Sequence, residues 1–315
     1  MRTLLVTGGN GYVGTELTVQ ALAQGWRVFT LDTRPRDGAP LPPGDLTEVA
    51  GDIRTPKEWS RVLRHVDHVV HLAAVVGDPA CGADPDAAWE TNYLATVKLA
   101  EACHRHEIRE LAFASTCSNY GVAADHMAHT WSPLAPQSVY AKSKVFAEHH
   151  LLSARDRGLR ARILRFSTLY GWSPRMRFDL VVNRMTADAT WDGVINLVGG
   201  EQWRPFLHVR DAAGVALASL TATCAELIHN CGVTSENYRI ADVARMVGEA
   251  VPEARLLHTP GGSDRRDYRV DFDGLEKSLG FRPRWTVAAG IREIVGQLRS
   301  GHGPTGVGGM AAVMN

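Results

Sequence analysis

Nothing in this chain approaches the roughly 18-residue apolar run that a bilayer-spanning helix requires. An excess of charge is equally missing: 34 Lys plus Arg balance 34 Asp plus Glu over 315 residues, for a formal net charge of zero. That balance supplies no general attraction to nucleic acid or to an acidic membrane surface, and leaves open only a local basic cleft for a small diphosphate. Cysteine is sparse. Cys81, Cys103, Cys117, Cys224 and Cys231 are five in number, scattered and without a CxxC pair, which argues against a disulfide framework or a zinc site. A reducing cytoplasm fits that usage. The 13 histidines come close together only as His104/His106 and His149/His150, and alternation along a helix makes such pairs poor chelators, so no metal is expected. The opening Met1–Thr7 passes into glycine too early for the core of a signal peptide. No internal repeat is visible.

What is present is an ordinary globular composition, 45% hydrophobic and 22% charged, able to bury a real core. Short apolar runs alternate with helical patterns through the first half. Strands are expected at Leu4–Val6, Arg27–Asp32, up to Gly51–Asp52, Val66–Ala74, Glu110–Ser115 and Ala161–Phe166. Helices are expected at Gly11–Gln24, after Pro56, and over Asp84–His106 and Gln137–Arg157, with a Pro/Gly-rich loop at 35–45. Strands alternating with long helices require a parallel sheet covered on both faces. The fold class is α/β, a Rossmann-type doubly wound sheet with a smaller C-terminal lobe. After Tyr170–Gly171 the rhythm changes: helices are expected near 178–190, 211–222, 239–250, 273–279 and 287–299, and strands at Val194–Leu197 and Ala225–Asn230, the latter rejoining the sheet. The expected division is a dinucleotide domain of 1–170 plus about 206–232, and a substrate lobe of about 171–205 plus 233–300. Gly301–Asn315, rich in Gly and Ala without periodicity, is expected to be a flexible tail.

Gly9-Asn10-Gly11-Tyr12-Val13-Gly14 is GxGxxG, preceded by Gly8 and lying between the first strand and its helix. Glycines there allow a tight turn and bring the helix N-terminus against a pyrophosphate. Asp32, ending the second strand, stands where a carboxylate binds the adenosine ribose, and its charge favours NAD over a 2′-phosphorylated cofactor. Arg34 and Arg36, just beyond, are the residues that would pair with such a phosphate. Asp52-Ile53 would border the adenine, and Leu72, Ala73 and Ala74 leave room at the end of the fourth strand; Phe166 closes the sixth.

Tyr140 and Lys144, four apart in Tyr140-Ala141-Lys142-Ser143-Lys144, share one helix face. A phenol of ordinary pKa, about 10, is a poor base at neutral pH, and an adjacent ammonium stabilises its phenolate. Ser115-Thr116 lie at the C-terminal edge of the fifth strand, the edge at which ligands of doubly wound sheets bind. A Thr116 hydroxyl there is placed to hydrogen-bond the substrate oxygen whose proton Tyr140 removes.

The TGGNGYVG start, Asp32, HLAA, Asn92, AFASTCSNYG and YAKSK resemble extended short-chain dehydrogenases of the NAD-dependent sugar-nucleotide epimerase/dehydratase family, in an order covering nearly the whole chain. The resemblance implies NAD as cofactor, with Asn92 and Ser115 beside it, and a nucleotide-diphosphate sugar as substrate. It reads GGEQWRPFLHVRDAA (199–213) as the diphosphate-contacting segment, with Arg204 on phosphate and His208 and Asp211 structural. Arg177, Asn183 and one of Arg265 or Arg266 are further substrate candidates, arginine suiting phosphate through its forked donors. Asp78, Thr116 and Cys117 stand near the expected sugar site, where Asp78 serves equally as a sugar contact or a loop cap and the ordinary reading of Cys117 is a small buried filler.

Family members share a first step, in which the tyrosine takes a sugar hydroxyl proton while hydride passes to NAD. Those resembling the 4,6-dehydratases carry Asp-Glu directly after the threonine, and those resembling the decarboxylases carry Glu at the second place; here stand Cys117 and Ser118. Resemblance to UDP-galactose 4-epimerase, which needs no such acid, makes epimerisation the expected reaction. A keto-sugar reductase consuming NAD(P)H, with Cys117 as an acid, is the alternative, and an NAD(P)-sensing protein without catalysis is the alternative from another class. A homodimer through the two long helices, 84–106 and 137–157, is implied by resemblance.

Overall fold

The computed structural model describes residues 1–36, 41–260 and 266–301. Among the described residues fourteen strands are formed: β1 Thr3–Thr7, β2 Arg27–Asp32, β3 Leu46–Ala50, β4 His68–His71, β5 Glu110–Thr116, β6 Val122–Ala128, β7 Arg160–Phe166, β8 Thr168–Tyr170, β9 Val194–Val198, β10 Trp203–His208, β11 Ile228–Cys231, β12 Asn237–Arg239, β13 Arg255–Thr259 and β14 Asp267–Val270. Seven of them make one sheet, ordered β11-β7-β5-β4-β1-β2-β3, and every pairing within it is parallel. Strands β1, β2, β5 and β7 are buried on both faces, while the edge strand β3 stays partly exposed. Leu5 on β1 joins a core with Leu99 and Leu151 from the helices Ala95–Arg105 and Val139–Ser153. Its neighbours Leu4 and Val6 point the other way, to Leu17 of the helix Tyr12–Ala23 and Leu217 of the helix Val209–Ser219.

The chain order reverses between β1 and β4, and there the C-terminal strand ends part to form a crevice that binds ligands in open α/β sheets. The expected long helix over Asp84–His106 is present in three parts: Pro85–Trp89, a π-helical turn Glu90–Leu94, and Ala95–Arg105. The π turn rotates Asn92 to complete burial. The expected strand Val66–Ala74 is shorter, since Leu72–Ala74 leave the ladder after His71. As expected, the 225–230 run rejoins the sheet, as β11 beside β7.

The remaining strands form small ladders outside the sheet, β12-β10-β8, β13-β9 and β14-β6. A second apolar core gathers Val182 and Met185 of the helix Val181–Asp192, Val243 and Val247 of Ile240–Ala250, and Ile291 of Val287–Arg299 around Tyr170 and Phe206. Arg265 and residues 302–315, and with them nearly all of the expected tail, lie outside the described residues. Among the described residues no helix is long and apolar enough to cross a membrane.

Candidate active site

The turn after β1 is built for close approach. Gly8 has φ +71°, and a Cβ on it would lie 2.8 Å from Ala73 N; a Cβ on Gly14 would lie 2.2 Å from the Gly8 carbonyl oxygen. The helix that follows starts at an N-cap, Gly11, without a side-chain cap, and has no acidic residue in its first turn. Its N–H groups and dipole are therefore left to an external anion, and this cradle fits a pyrophosphate. Val13 follows on that helix. The Asp32 carboxylate accepts the N–H groups of Asn10 (3.1 Å) and Arg34 (3.0 Å), which ties the glycine turn to the end of β2. Arg34 is exposed, whereas Arg36 is paired with Glu48 at 2.5 Å, so the second arginine expected to meet a 2′-phosphate is already held by a carboxylate. Asp52 turns to Arg54 at 2.6 Å, and Ile53 is buried with its carbonyl oxygen accepting from Trp59.

Ala73 is held from below by a chain of buried groups. Its N–H donates to Thr7 Oγ1, Thr7 pairs with His71 Nδ1 at 2.7 Å, and His71 Nε2 pairs with Thr96 at 2.9 Å. Thr96 donates onward to the Asn92 carbonyl, so Nε2 carries the ring proton. Burial pushes the His71 pKa down to about 3, and the ring is neutral. The Asn92 Oδ1 accepts Val75 N–H (2.8 Å), and its Nδ2 donates to Val75 O (3.0 Å) and Ser143 Oγ (3.1 Å). With both amide protons engaged, it positions the Leu72–Val75 segment.

Ser143 in turn donates to the Tyr140 carbonyl, one turn inside a helix capped by Ser138 Oγ on Ala141 N–H. Lys144 is 2% exposed; its Nζ donates to Ala114 O at 2.9 Å and lies 4.6 Å from the Phe113 ring centre and 5.9 Å from that of Tyr140. Burial lowers the ammonium pKa to about 8. The Tyr140 phenol is raised by burial, with Arg177 acting to lower it and Cys81, Asp78 and Tyr268 to raise it. Thr116, on β5, uses an oxygen lone pair to accept Ser118 N–H (3.1 Å), which leaves its O–H proton free to donate outward.

Ser115 and Cys117 point away from this face. Ser115 donates to the Glu148 carboxylate, itself paired with Arg165 at 2.7 Å, so only its backbone is available toward the crevice. Cys117 is fully buried, donates to Arg165 O at 3.1 Å, and has its thiol pKa raised by burial. It is a packed filler and not a substrate contact. Asn183 is turned inward: its amide links Gly171 N–H, Arg177 O and the Tyr12 hydroxyl, all inside the protein. Tyr12 donates to Gly171 O at 2.7 Å, fastening the glycine turn to the start of the second core.

The face where the substrate candidates were expected is outlined by arginines. Arg177 pairs with Asp179 and acts on Tyr140; Arg266 pairs with Asp78 at 3.1 Å; Arg204, 4% exposed, donates to the Trp203 and Arg266 carbonyls and lies 5.4 Å from the Tyr268 ring centre. Phe166, at the end of β7, is buried. His208 packs 4.2 Å from the Trp285 ring and pairs with Glu293, while Asp211 accepts the N–H groups of Arg284 and Trp285; both hold the C-terminal part together. Two contributors were not singled out from the sequence. Tyr268 hydrogen-bonds Ser118 at 3.3 Å beneath Arg204, and the Glu148–Arg165 pair supports β5. Tyr268 sits two residues after Arg266, at the second position of β14.

Residues 4–232 match the family model described as the NAD dependent epimerase/dehydratase family. Among curated proteins, the chain is 26% identical to a UDP-glucose 4-epimerase of Azospirillum brasilense (91% of this chain, 89% of that one). It is 30% identical to a dTDP-glucose 4,6-dehydratase of Streptomyces antibioticus (93% and 91%). Among solved structures, it resembles the UDP-glucose 4-epimerase of Thermus thermophilus in complex with NAD, with a TM-score of 0.82 at 28% identity over 94% of this chain and 99% of that one.

Proposed function

The chain belongs to the NAD-dependent epimerase/dehydratase family, and on that premise we propose that it is a sugar-nucleotide epimerase working through a transient keto sugar. One observation carries the choice of reaction: no carboxylic acid follows Thr116, where Cys117 is buried against Arg165 O and Ser118 is engaged by Tyr268. Dehydration requires an acid and a base at the sugar in addition to the tyrosine, whereas inversion at the oxidised carbon does not. Relatives of both kinds are similarly distant, so the distinction rests on these side chains.

NAD, when bound, supplies the oxidation and the return reduction of one sugar carbon. Gly8, Gly11 and Gly14 with the helix N-terminus would hold its pyrophosphate, and Asp32 its adenosine ribose. Tyr140 takes the proton of the sugar hydroxyl and later gives it back. Lys144 stabilises the phenolate, and Thr116 donates to the same substrate oxygen. Arg177, Arg204 and Arg266 would meet the nucleotide diphosphate. We also infer a homodimer through the exposed faces of the helices around Leu94 and Phe146.

The test is a panel of UDP-, dTDP-, GDP- and CDP-hexoses with the purified protein. A product of unchanged mass and inverted configuration, with no net change in cofactor oxidation state and lost in Tyr140→Phe, is the expected result. Loss of water from the sugar would replace this reading with a dehydratase, and stoichiometric consumption of NAD(P)H with a keto sugar would replace it with a reductase.

A further inference from the structure

Four of the five cysteines, Cys81, Cys103, Cys117 and Cys231, are closed to solvent, and burial raises the pKa of each thiol. Cys224 differs. It is half-buried, in the turn between the helix Val209–Ser219 and β11. Its Sγ accepts from Arg162 Nη1 at 3.1 Å and faces the Glu226 carbonyl at 3.7 Å. Arg162, on β7, is 1% exposed. Its Nη groups donate to the Glu226 and Ala222 carbonyls and to the thiol, and its Nε is buried with no partner among the described residues. Every acceptor on this withdrawn cation is thus neutral, an arrangement that burial makes costly. The Glu110 carboxylate, within range of its field, is paired with Arg160 at 3.4 Å. Of the groups that accept from the guanidinium, only Cys224 can become an anion.

A pocket of about 330 Å³ opens beside this thiol, lined by Cys224, Thr223 and Leu227 ahead of β11 and by Arg155, Leu159 and Arg160 at the start of β7. Arg155 and Arg160 are exposed at its mouth. These are the N-terminal ends of the two strands, at the opposite edge of the sheet from Thr116.

We propose that Cys224 is a modification site for an anionic low-molecular-weight disulfide, whose carboxylates Arg155 and Arg160 receive while Arg162 receives the charge of the thiolate. The proposal is independent of the epimerase reading. In the step, Cys224 gives its proton to water, and the thiolate attacks one sulfur of the disulfide. The Sγ–S bond forms as the S–S bond breaks, and the released half leaves as a thiolate that takes a proton from water. One disulfide is exchanged for another, so no further oxidant or reductant is consumed.

The probe is oxidised glutathione, offered to the full-length protein in its native state and, separately, after unfolding in urea. Acid-quenched samples are digested and mapped by mass. In the native protein a glutathionyl group is expected on Cys224 alone, removed by dithiothreitol and absent from Cys224→Ser. Native Cys224 is expected to react faster than the same thiol in the unfolded chain, although it is partly shielded, because Arg162 and the pocket meet it only in the fold. The uncharged comparison is bis(2-hydroxyethyl) disulfide. Relative to the unfolded chain, native Cys224 is expected to prefer oxidised glutathione by about fivefold, close to the upper worth of an exposed ion pair. Arg155→Glu, a change confined to the surface, is expected to abolish most of that preference. Native Cys224 reacting no faster than the unfolded thiol, or labelling spread over other cysteines of the folded protein, overturns the proposal. So does an absent preference in wild type, or one that Arg155→Glu leaves unchanged.

Discussion

Lys144 Nζ donates to Ala114 O at 2.9 Å, so the helix bearing Tyr140 is pinned to β5 two residues before Thr116. One ammonium thus sets the spacing of the two hydroxyls that would act on the substrate and supplies the charge that makes the phenolate accessible.

Activity and stability should respond to this ammonium in opposite directions. Burial lowers its pKa from about 10.5 to about 8. It is charged below that value, so kcat/KM is expected to fall as pH rises through about 8 and the phenolate loses its partner. Between about 8 and 10.5 the unfolded chain binds the proton that the folded chain has released, so the contribution of Lys144 to stability increases with pH over that window. Parallel pH profiles of kcat/KM and of Tm check both signs; activity still rising between pH 8 and 9.5 would remove Lys144 from its assigned role.

Cofactor choice is expected to move with two carboxylates together. Asp32 would meet a 2′-phosphate with like charge, and Glu48 pairs with Arg36, a cation that could otherwise bind it. Asp32→Ser keeps a short acceptor for Asn10 N–H and should weaken NAD by about tenfold, or about 1.4 kcal/mol, while narrowing the NAD/NADP preference. Adding Glu48→Gln releases Arg36 and should improve NADP further. Titration by cofactor fluorescence reads both steps. No gain in NADP affinity from the double variant would mean that Arg36 does not face the ribose.

The large features were legible because each has a local cause. Apolar runs at β1, β2, β5 and β7 declare strands buried on both faces, and the glycine spacing declares a turn with no room for Cβ atoms. What escaped depends on long-range contact. β13 is exposed along its whole length and carries no burial pattern, and β14 pairs with a strand more than 130 residues away. Asn92 and Asn183 were marked by resemblance as ligand contacts. The π turn around one, and the junction of Tyr12, Gly171 and Arg177 around the other, direct their amides inward. Cys117 is the buried filler that its ordinary reading makes it, because strand alternation and the turn after β5 take it inside.

Assembly should depend on an aromatic face that is only partly covered. Trp89, Tyr93 and Phe146 pack edge to face, with ring centres 5.2–6.0 Å apart, yet Phe146 stays 54% exposed and nearby Leu94 46% exposed. Such a cluster is the kind of apolar face that a second copy would cover. Wild-type protein is expected to sediment as a dimer, and Phe146→Glu as a folded monomer, because a carboxylate buried at a twofold contact would meet its own copy. A monomeric wild type at micromolar concentration would discard this face as an interface.

The Glu148–Arg165 pair supports β5, and its removal should be asymmetric. Glu148 is 0% and Arg165 4% exposed at the side chain; Arg165 Nη2 donates at 2.7 Å, and Ser115 and Asn119 donate to the same carboxylate. Arg165→Met leaves a buried carboxylate with two neutral donors and should cost about 3–5 kcal/mol, the usual penalty for stranding one member of a buried pair. Glu148→Gln combined with Arg165→Met leaves no charge behind and keeps an acceptor for Ser115 and Asn119, so it should recover at least half of that loss. Urea unfolding of the two variants gives the comparison directly. If the double variant is no more stable than the single one, the uncompensated charge is not the source of the loss. The support of Thr116 would then come from the hydrogen bonds of Arg165 to Tyr120 and to the Thr130 carbonyl, which both variants remove.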